Sequence, residues 1–252
     1  MCLILFAYKT HPAYKLIVAA NRDEFYHRPT SQAAFWEDDK RVLAGRDLEA
    51  GGTWMGVNTA GQLAMLTNYR DLKNIKPEAP SRGFLVSDFL QNEQEASEYL
   101  HHISMKGDQY NGFNLVTGNA EELYYYGNYQ EGVQQIKPGV HGLSNALLNT
   151  EWPKVNKGRE RLQSVIGDDF DVEDLFSVLK DDVKAPDVEL PDTGVGLEME
   201  RMLSPMFIQS ANYGSRCSTV LTVTHSGHFT FIERTYDPAG LTFADVTYEF
   251  KL

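Results

Sequence analysis

Apolar residues in this chain gather in short runs with the alternation of strands more often than the three- and four-residue spacing of helices. CLILFAY (2 to 8) and KLIVAAN (15 to 21) are rich in β-formers and are split by KTHPAY with its proline, which predicts a hairpin carrying NRDE (21 to 24) at the far end of its second strand. TWMGVN and QLAMLTN flank the turn-like TAG and predict a second hairpin, which also runs out into polar residues, TNYRD. YNGFNLVTGNAEELYYYG reads as a third about GNAE, SRCSTVLTVTHSGHFTFIERTY as a fourth about HSGH, and ADVTYEF as a last strand. Helical spacing takes over between these groups. With Ser81 as N-cap, SRGFLVSDFLQN puts Phe84, Leu85, Phe89 and Leu90 on overlapping faces, and EASEYLHHISM continues a second amphipathic pattern. Pro153 suits the first turn of a helix through VNKGRERLQSVI, and DVEDLFSVLKDD makes a further one. GVHGLSNALLNTEW has turn residues and no clean period.

Alternating strands need one buried face, and helices inserted between hairpin groups most simply cover the outer faces of two packed sheets. The pattern therefore predicts a layered α+β sandwich over a parallel doubly wound fold. Only 183 to 197 could divide the chain, and the hairpin after it resembles more of the same sheet, so one domain over 1 to 252 is expected.

Composition narrows the partners. Thirty-five Asp and Glu against 23 Lys and Arg give a formal charge of -12, which disfavours a nucleic-acid backbone or an anionic membrane surface. No apolar run approaches the roughly 20 residues of a membrane span, and the opening lacks a basic n-region, so no integral membrane insertion and a cytoplasmic location are expected. Cys2 and Cys217 sit in no CxxC or Cys/His spacing, and there is no Walker loop or Rossmann fingerprint; neither metal, nucleotide nor other cofactor is predicted.

The position of Cys2 carries the candidate chemistry. Removal of the initiator methionine would put its thiol and a free α-amine on one residue. An α-amine titrates at roughly 7.7 to 8.0 and can take the thiol proton and return it to a leaving amine. The bland alternative is that a small, often buried residue simply starts a strand ahead of LILF. An acyl-transfer site also needs oxyanion donors and a group to hold the amine. The two strand ends offer Asn21, Arg22, Asp23 and Glu24, then Asn68, Tyr69 and Arg70; along an extended strand Asn21 and Asp23 share a face, so Asp23 is expected to face Cys2 and Arg22 to point away. Cys217 in SRCSTVLTV reads as core, His101 and His102 as adjacent positions that cannot face one ligand, and His225 and His228 as turn residues in solvent.

The ordered set MC, ANRDE, GGTWMGVN, LTNYRD, SRGFLVSDFL, YNGFNLV, HGLSNALLNTEWPKVNKG and YGSRCSTVL resembles, over essentially the whole chain, the NRDE family, also called the transport-and-Golgi-organisation 2 family. GVNTAGQLAMLTNY is more distantly similar to a stretch of the choloylglycine hydrolase and penicillin V acylase group, N-terminal nucleophile enzymes whose mature chain begins with cysteine. That likeness implies a four-layer αββα sandwich of two antiparallel sheets and a set of roles. Cys2 would be the nucleophile, Asn68 an oxyanion donor, Asn145 a second polar contact, Asp23 a hydrogen bond to the α-amine and Arg216 an electrostatic partner of the thiolate, with Asn21, Arg22 and Tyr69 as candidate lining. It departs at Ala20, where those enzymes carry an arginine three residues before the aspartate. The resemblance implies hydrolysis of a linear amide or related acyl bond in a small molecule. The alternative is a carrier that binds a hydrophobic ligand, an acyl lipid or haem, without turnover; YYYG and the three tryptophans could line its pocket.

Overall fold

The computed structural model describes residues 2–92, 94–167, 169–238 and 242–252; Met1, whose removal the sequence leads one to expect, lies outside them. Among the described residues, thirteen strands form two antiparallel sheets. The first holds, in spatial order, β10 (Gly139–Leu143), β1 (Cys2–Tyr8), β2 (Tyr14–Phe25), β11 (Tyr213–Thr224), β12 (His228–Tyr236) and β13 (Phe243–Lys251). The second runs in chain order: β3 (Thr30–Phe35), β4 (Val42–Asp47), β5 (Met55–Asn58), β6 (Leu63–Asn68), β7 (Phe113–Gly118), β8 (Leu123–Gly127) and the two-residue β9 (Gln134–Gln135).

Alternation along each strand fills two different layers. Ile4, Phe6, Val18 and Ala20 meet Met55, Val57, Met65 and Val116 in a core between the sheets. The intervening residues Leu3, Leu5, Ile17 and Ala19 pack outward against α3 (Pro153–Val165) and α4 (Val172–Leu179). On the second sheet Val42, Ala64, Leu66 and Leu115 pack outward against α1 (Phe84–Gln91) and α2 (Ala96–Ser104). The result is the αββα sandwich, and it follows from period-two alternation in strands that are covered on both faces.

The expected hairpins β1–β2, β5–β6, β7–β8 and β11–β12 are all present, as is the helix begun by Pro153 at its first turn. Three features differ. The helix after Ser81 starts later, at Phe84 with Gly83 as N-cap, because the Ser81 hydroxyl accepts from the Gly83 N–H and closes a tight turn ahead of the helix. GVHGL supplies the edge strand β10, whose pairing with β1 compensates for two glycines that erase its apolar period. The 183 to 197 stretch holds a 3-10 turn, Asp187–Glu189, and leads into the short α5 (Leu197–Leu203). Among the described residues no helix is long and apolar enough to cross a membrane.

Candidate functional site

The β1–β2 register decides which side chains surround Cys2. Cys2 stands directly opposite Arg22, and directly opposed residues of an antiparallel pair share a face. Arg22 therefore faces with Cys2, and the expectation that it points away is corrected. Asp23 is the residue whose side chain turns to the helix side. The cause is the five-residue loop between the strands, which sets the register one step from the one assumed, and one step reverses every side chain.

Arg22 is buried and well fixed. Its guanidinium lies 4.2 Å from the Trp54 ring centre, 3.4 Å from Asp47 Oδ2 and 4.0 Å from Glu24 Oε2. A Cβ on Gly45 would come 2.4 Å from the far edge of the Trp54 ring, so only glycine in β4 lets that ring lie flat beneath the arginine. Arg28 completes the network, 2.6 Å from Asp47 and 3.1 Å from Glu49.

Above these residues opens a cleft of about 440 Å³ lined by Cys2, Arg22, Asp23, Trp54, Asn68, Arg82 and their neighbours. Cys2 is partly buried at its edge. Burial pushes the thiol up; the positive charge of Arg22 and a hydrogen bond from the Asp23 backbone N–H act in the other direction. On the helix side the Asp23 carboxyl is almost fully buried, accepts from Ser215 Oγ at 2.6 Å, and is pushed up by desolvation against the pull of Lys154. Lys154, in the first turn of α3, is itself buried and depressed to about 8, with its ammonium donating to the Leu203 carbonyl at 2.9 Å.

The remaining candidates divide. Asn68 lines the cleft, and its carboxamide has no hydrogen-bond partner among the described residues. Asn145 is buried beneath it: its Nδ2 donates to the Asn68 carbonyl at 2.8 Å, and the adjacent Ser144 hydroxyl donates to the Cys2 carbonyl at 3.2 Å. Asn145 thus holds the strand end that presents Asn68 and does not itself open onto the cleft. Tyr69 stacks on Tyr129, ring centres 4.0 Å apart, and does not line the cleft. Asn21 turns to the helices, where it donates to the carbonyls of Leu179 and Met206 and accepts from Ser218, so as a lining side chain it is corrected. Arg216 is corrected too. It is the extra residue of a β-bulge between the pairs Ser215/Asp23 and Cys217/Arg22, and its guanidinium donates to the carbonyls of Phe25 and Arg28, both at 2.9 Å, away from the thiol.

Two residues that the sequence left unmarked join the site, Arg82 and Lys154, together with Trp54, which was expected only as one of three tryptophans lining a carrier pocket. Each lies inside a stretch that carried the family resemblance, GGTWMGVN, SRGFLVSDFL or NTEWPKVNKG, where the periodicity spoke only of strands and helices. Arg82 is carried to the cleft by a backbone crossing: a Cβ on Gly52 would sit 2.5 Å from the Gly83 carbonyl carbon, so the loop before α1 packs main chain to main chain on the segment between β4 and β5. Among the described residues no group of three or more His, Cys, Asp or Glu side chains is placed to hold a metal ion.

The family model described as Transport and Golgi organisation 2 matches residues 1–238. A homologue from Homo sapiens is 39% identical over 277 residues, covering 100% of this chain and 99% of that protein. One from Mus musculus is 37% identical with the same coverage, and the Drosophila melanogaster protein is 30% identical over 95% of each chain. Among solved structures, the mutant C2A conjugated bile acid hydrolase from Clostridium perfringens superposes with a TM-score of 0.54 at 9% identity, covering 100% of this chain and 97% of that one. The Caenorhabditis elegans N-acylethanolamine-hydrolyzing acid amidase ortholog gives 0.50 at 11% identity over 87% and 92%. At such identities these two likenesses speak for the fold alone, the sandwich of two antiparallel sheets.

Proposed function

The chain belongs to the Transport and Golgi organisation 2 family, and from the fold and cleft built around Cys2 we propose that it is an N-terminal cysteine hydrolase acting on a linear amide or related acyl bond of a small molecule. The observation that carries this reading is the position of the Cys2 thiol: at the edge of a cleft, beside a buried arginine and a donated backbone N–H. Two structural neighbours are, by name, a conjugated bile acid hydrolase and an N-acylethanolamine-hydrolyzing acid amidase ortholog, which supports the same class of chemistry.

With Met1 removed, the α-amine of Cys2 takes the thiol proton, and the sulfur attacks the substrate carbonyl carbon to form a C–S bond. In the antiparallel register the nitrogen end of Cys2 lies toward Asp23, whose carboxyl would hold the ammonium. Asn68 is the side chain suited to donate to the oxyanion. The C–N bond then breaks as the ammonium returns its proton to the leaving amine, and water hydrolyses the thioester to the acid and free thiol. The carrier reading for an acyl lipid or haem finds little support in a cleft lined by three arginines and four carboxylates.

Intact mass and turnover test the proposal together. The protein from its native host should lack Met1 and hydrolyse members of an amide panel, with Cys2→Ser reducing turnover by about 10³-fold or more. A retained methionine, or hydrolysis that survives Cys2→Ser, overturns it.

A further inference from the structure

Arginines in the cleft are not equivalent. Arg22 is shared among Glu24, Asp47 and the Trp54 ring, and Arg28 is paired with Asp47 and Glu49. Arg82 lines the same cleft, is partly buried, and among the described residues has no carboxylate within ion-pair distance; its Nη1 donates to the Gly112 carbonyl at 2.8 Å. A guanidinium presents five donors in a planar fork, so a single neutral carbonyl leaves most of them for something that enters the cleft. The loop that carries Arg82 is itself fixed, by the close approach of Gly83 to Gly52 and by Asn111, whose side chain bonds both the N–H and the carbonyl of Lys76.

We propose that Arg82 is a substrate-binding residue and that the amide taken by this cleft carries a single carboxylate, as in an N-acyl amino acid or the monoamide of a dicarboxylic acid. The inference rests on the hydrolase reading for the word amide, and on the cleft alone for the word carboxylate. Charge in the lining sets the limit of one. Three arginines stand against Asp23, Glu24, Asp47 and Glu49, and two of the three are already paired. A polyphosphate would bring several negative charges against those four carboxylates, whereas one carboxylate matches the one arginine lacking a counter-ion.

Binding to the Cys2→Ala protein, measured by calorimetry, tests this without requiring turnover. N-hexanoylglycine and its methyl ester place the charge on the amine side; adipic acid monoamide and its methyl ester place it on the acyl side. At least one acid should bind about tenfold more tightly than its own ester, as expected for a charge-assisted arginine pair. Arg82→Gln in the same background should narrow that ratio to within about twofold, and Arg82→Lys, which keeps the charge, should retain part of it. Equal affinities of acid and ester, a preference that survives Arg82→Gln, or no binding by either acid at about 10 mM overturns the proposal. Failure of the hydrolase reading shows separately, as absent turnover of these amides by the Cys2 protein.

Discussion

Cys2 and Cys217 are near mirror images in the sheet and opposites in environment. Each is paired directly with Arg22, Cys2 from β1 on one side and Cys217 from β11 on the other. Both thiols therefore face the space between the sheets and feel the same guanidinium. Cys2 stands at the edge of the open cleft; Cys217 is 5% exposed and donates to the buried carboxylate of Glu233. Burial raises both thiols, and Cys217 the more strongly, because Glu233 adds a negative charge beside it. Sequence cannot separate two such cysteines by residue type. What separates them is one strand position relative to a cleft, and that is a property of the assembled sheets.

The largest test of the contrast is chemical. With iodoacetamide near neutral pH the native protein should take up one label, on Cys2, and Cys217 should react at least about 100-fold more slowly until the chain is unfolded. Comparable rates at the two thiols would remove the distinction. No disulfide should interfere: with β2 between them the two strands are about 9.5 Å apart, beyond the reach of a disulfide.

Glu233 gives the next largest effect. It is 2% exposed, accepts from the Ala33 N–H at 2.7 Å, and is raised by burial to about 7, with the Ala33 N–H, the Cys217 thiol and the Arg22 charge all working to lower it. Its folded value lies above its unfolded one, so the folded chain binds the extra proton between about 4.5 and 7 and stability falls as pH rises through that window. Ionising the group in place should cost about 3 kcal/mol, of which the wild type shows the loss and Glu233→Gln does not. Urea unfolding at pH 4.5 and pH 8 measures it. Equal pH dependence in the two proteins would mean that the carboxylate is already charged and matched by Arg22.

Strand alternation made the architecture legible. Leu3, Leu5 and Ile17 on one face and Ile4, Phe6 and Val18 on the other are inherent in the sequence, and they specify a sheet covered on both sides. Register was not legible, because residues 9 to 13 fix it through loop geometry and a slip of one position exchanges Arg22 for Asp23 beside the thiol. The same rule hides Arg216, since a bulge breaks the alternation just where it would be counted. Glu233 could have been found: Phe229 and Phe231 set an inward parity that Glu233 continues, so a buried carboxylate was implied once those phenylalanines were assigned to the core.

The smallest expected effect concerns Arg216, and it sharpens the comparison because it separates closeness in the sequence from closeness in the site. Arg216 is next to Cys217 in the chain, but its guanidinium leaves the sheet at the bulge and ties together the carbonyls of Phe25 and Arg28. Arg216→Gln should cost about 1 to 2 kcal/mol of stability through those two bonds. The Cys2 alkylation rate should stay within about twofold, since Arg22, and not Arg216, is among the leading charges acting on that thiol. Arg22→Gln, by contrast, removes the cation that both thiols share, and should slow Cys2 alkylation about tenfold at neutral pH while shifting its pH profile upward. If the two variants behaved alike at Cys2, the bulge would not isolate Arg216, and the charge that tunes the thiol would have to be assigned to both arginines together.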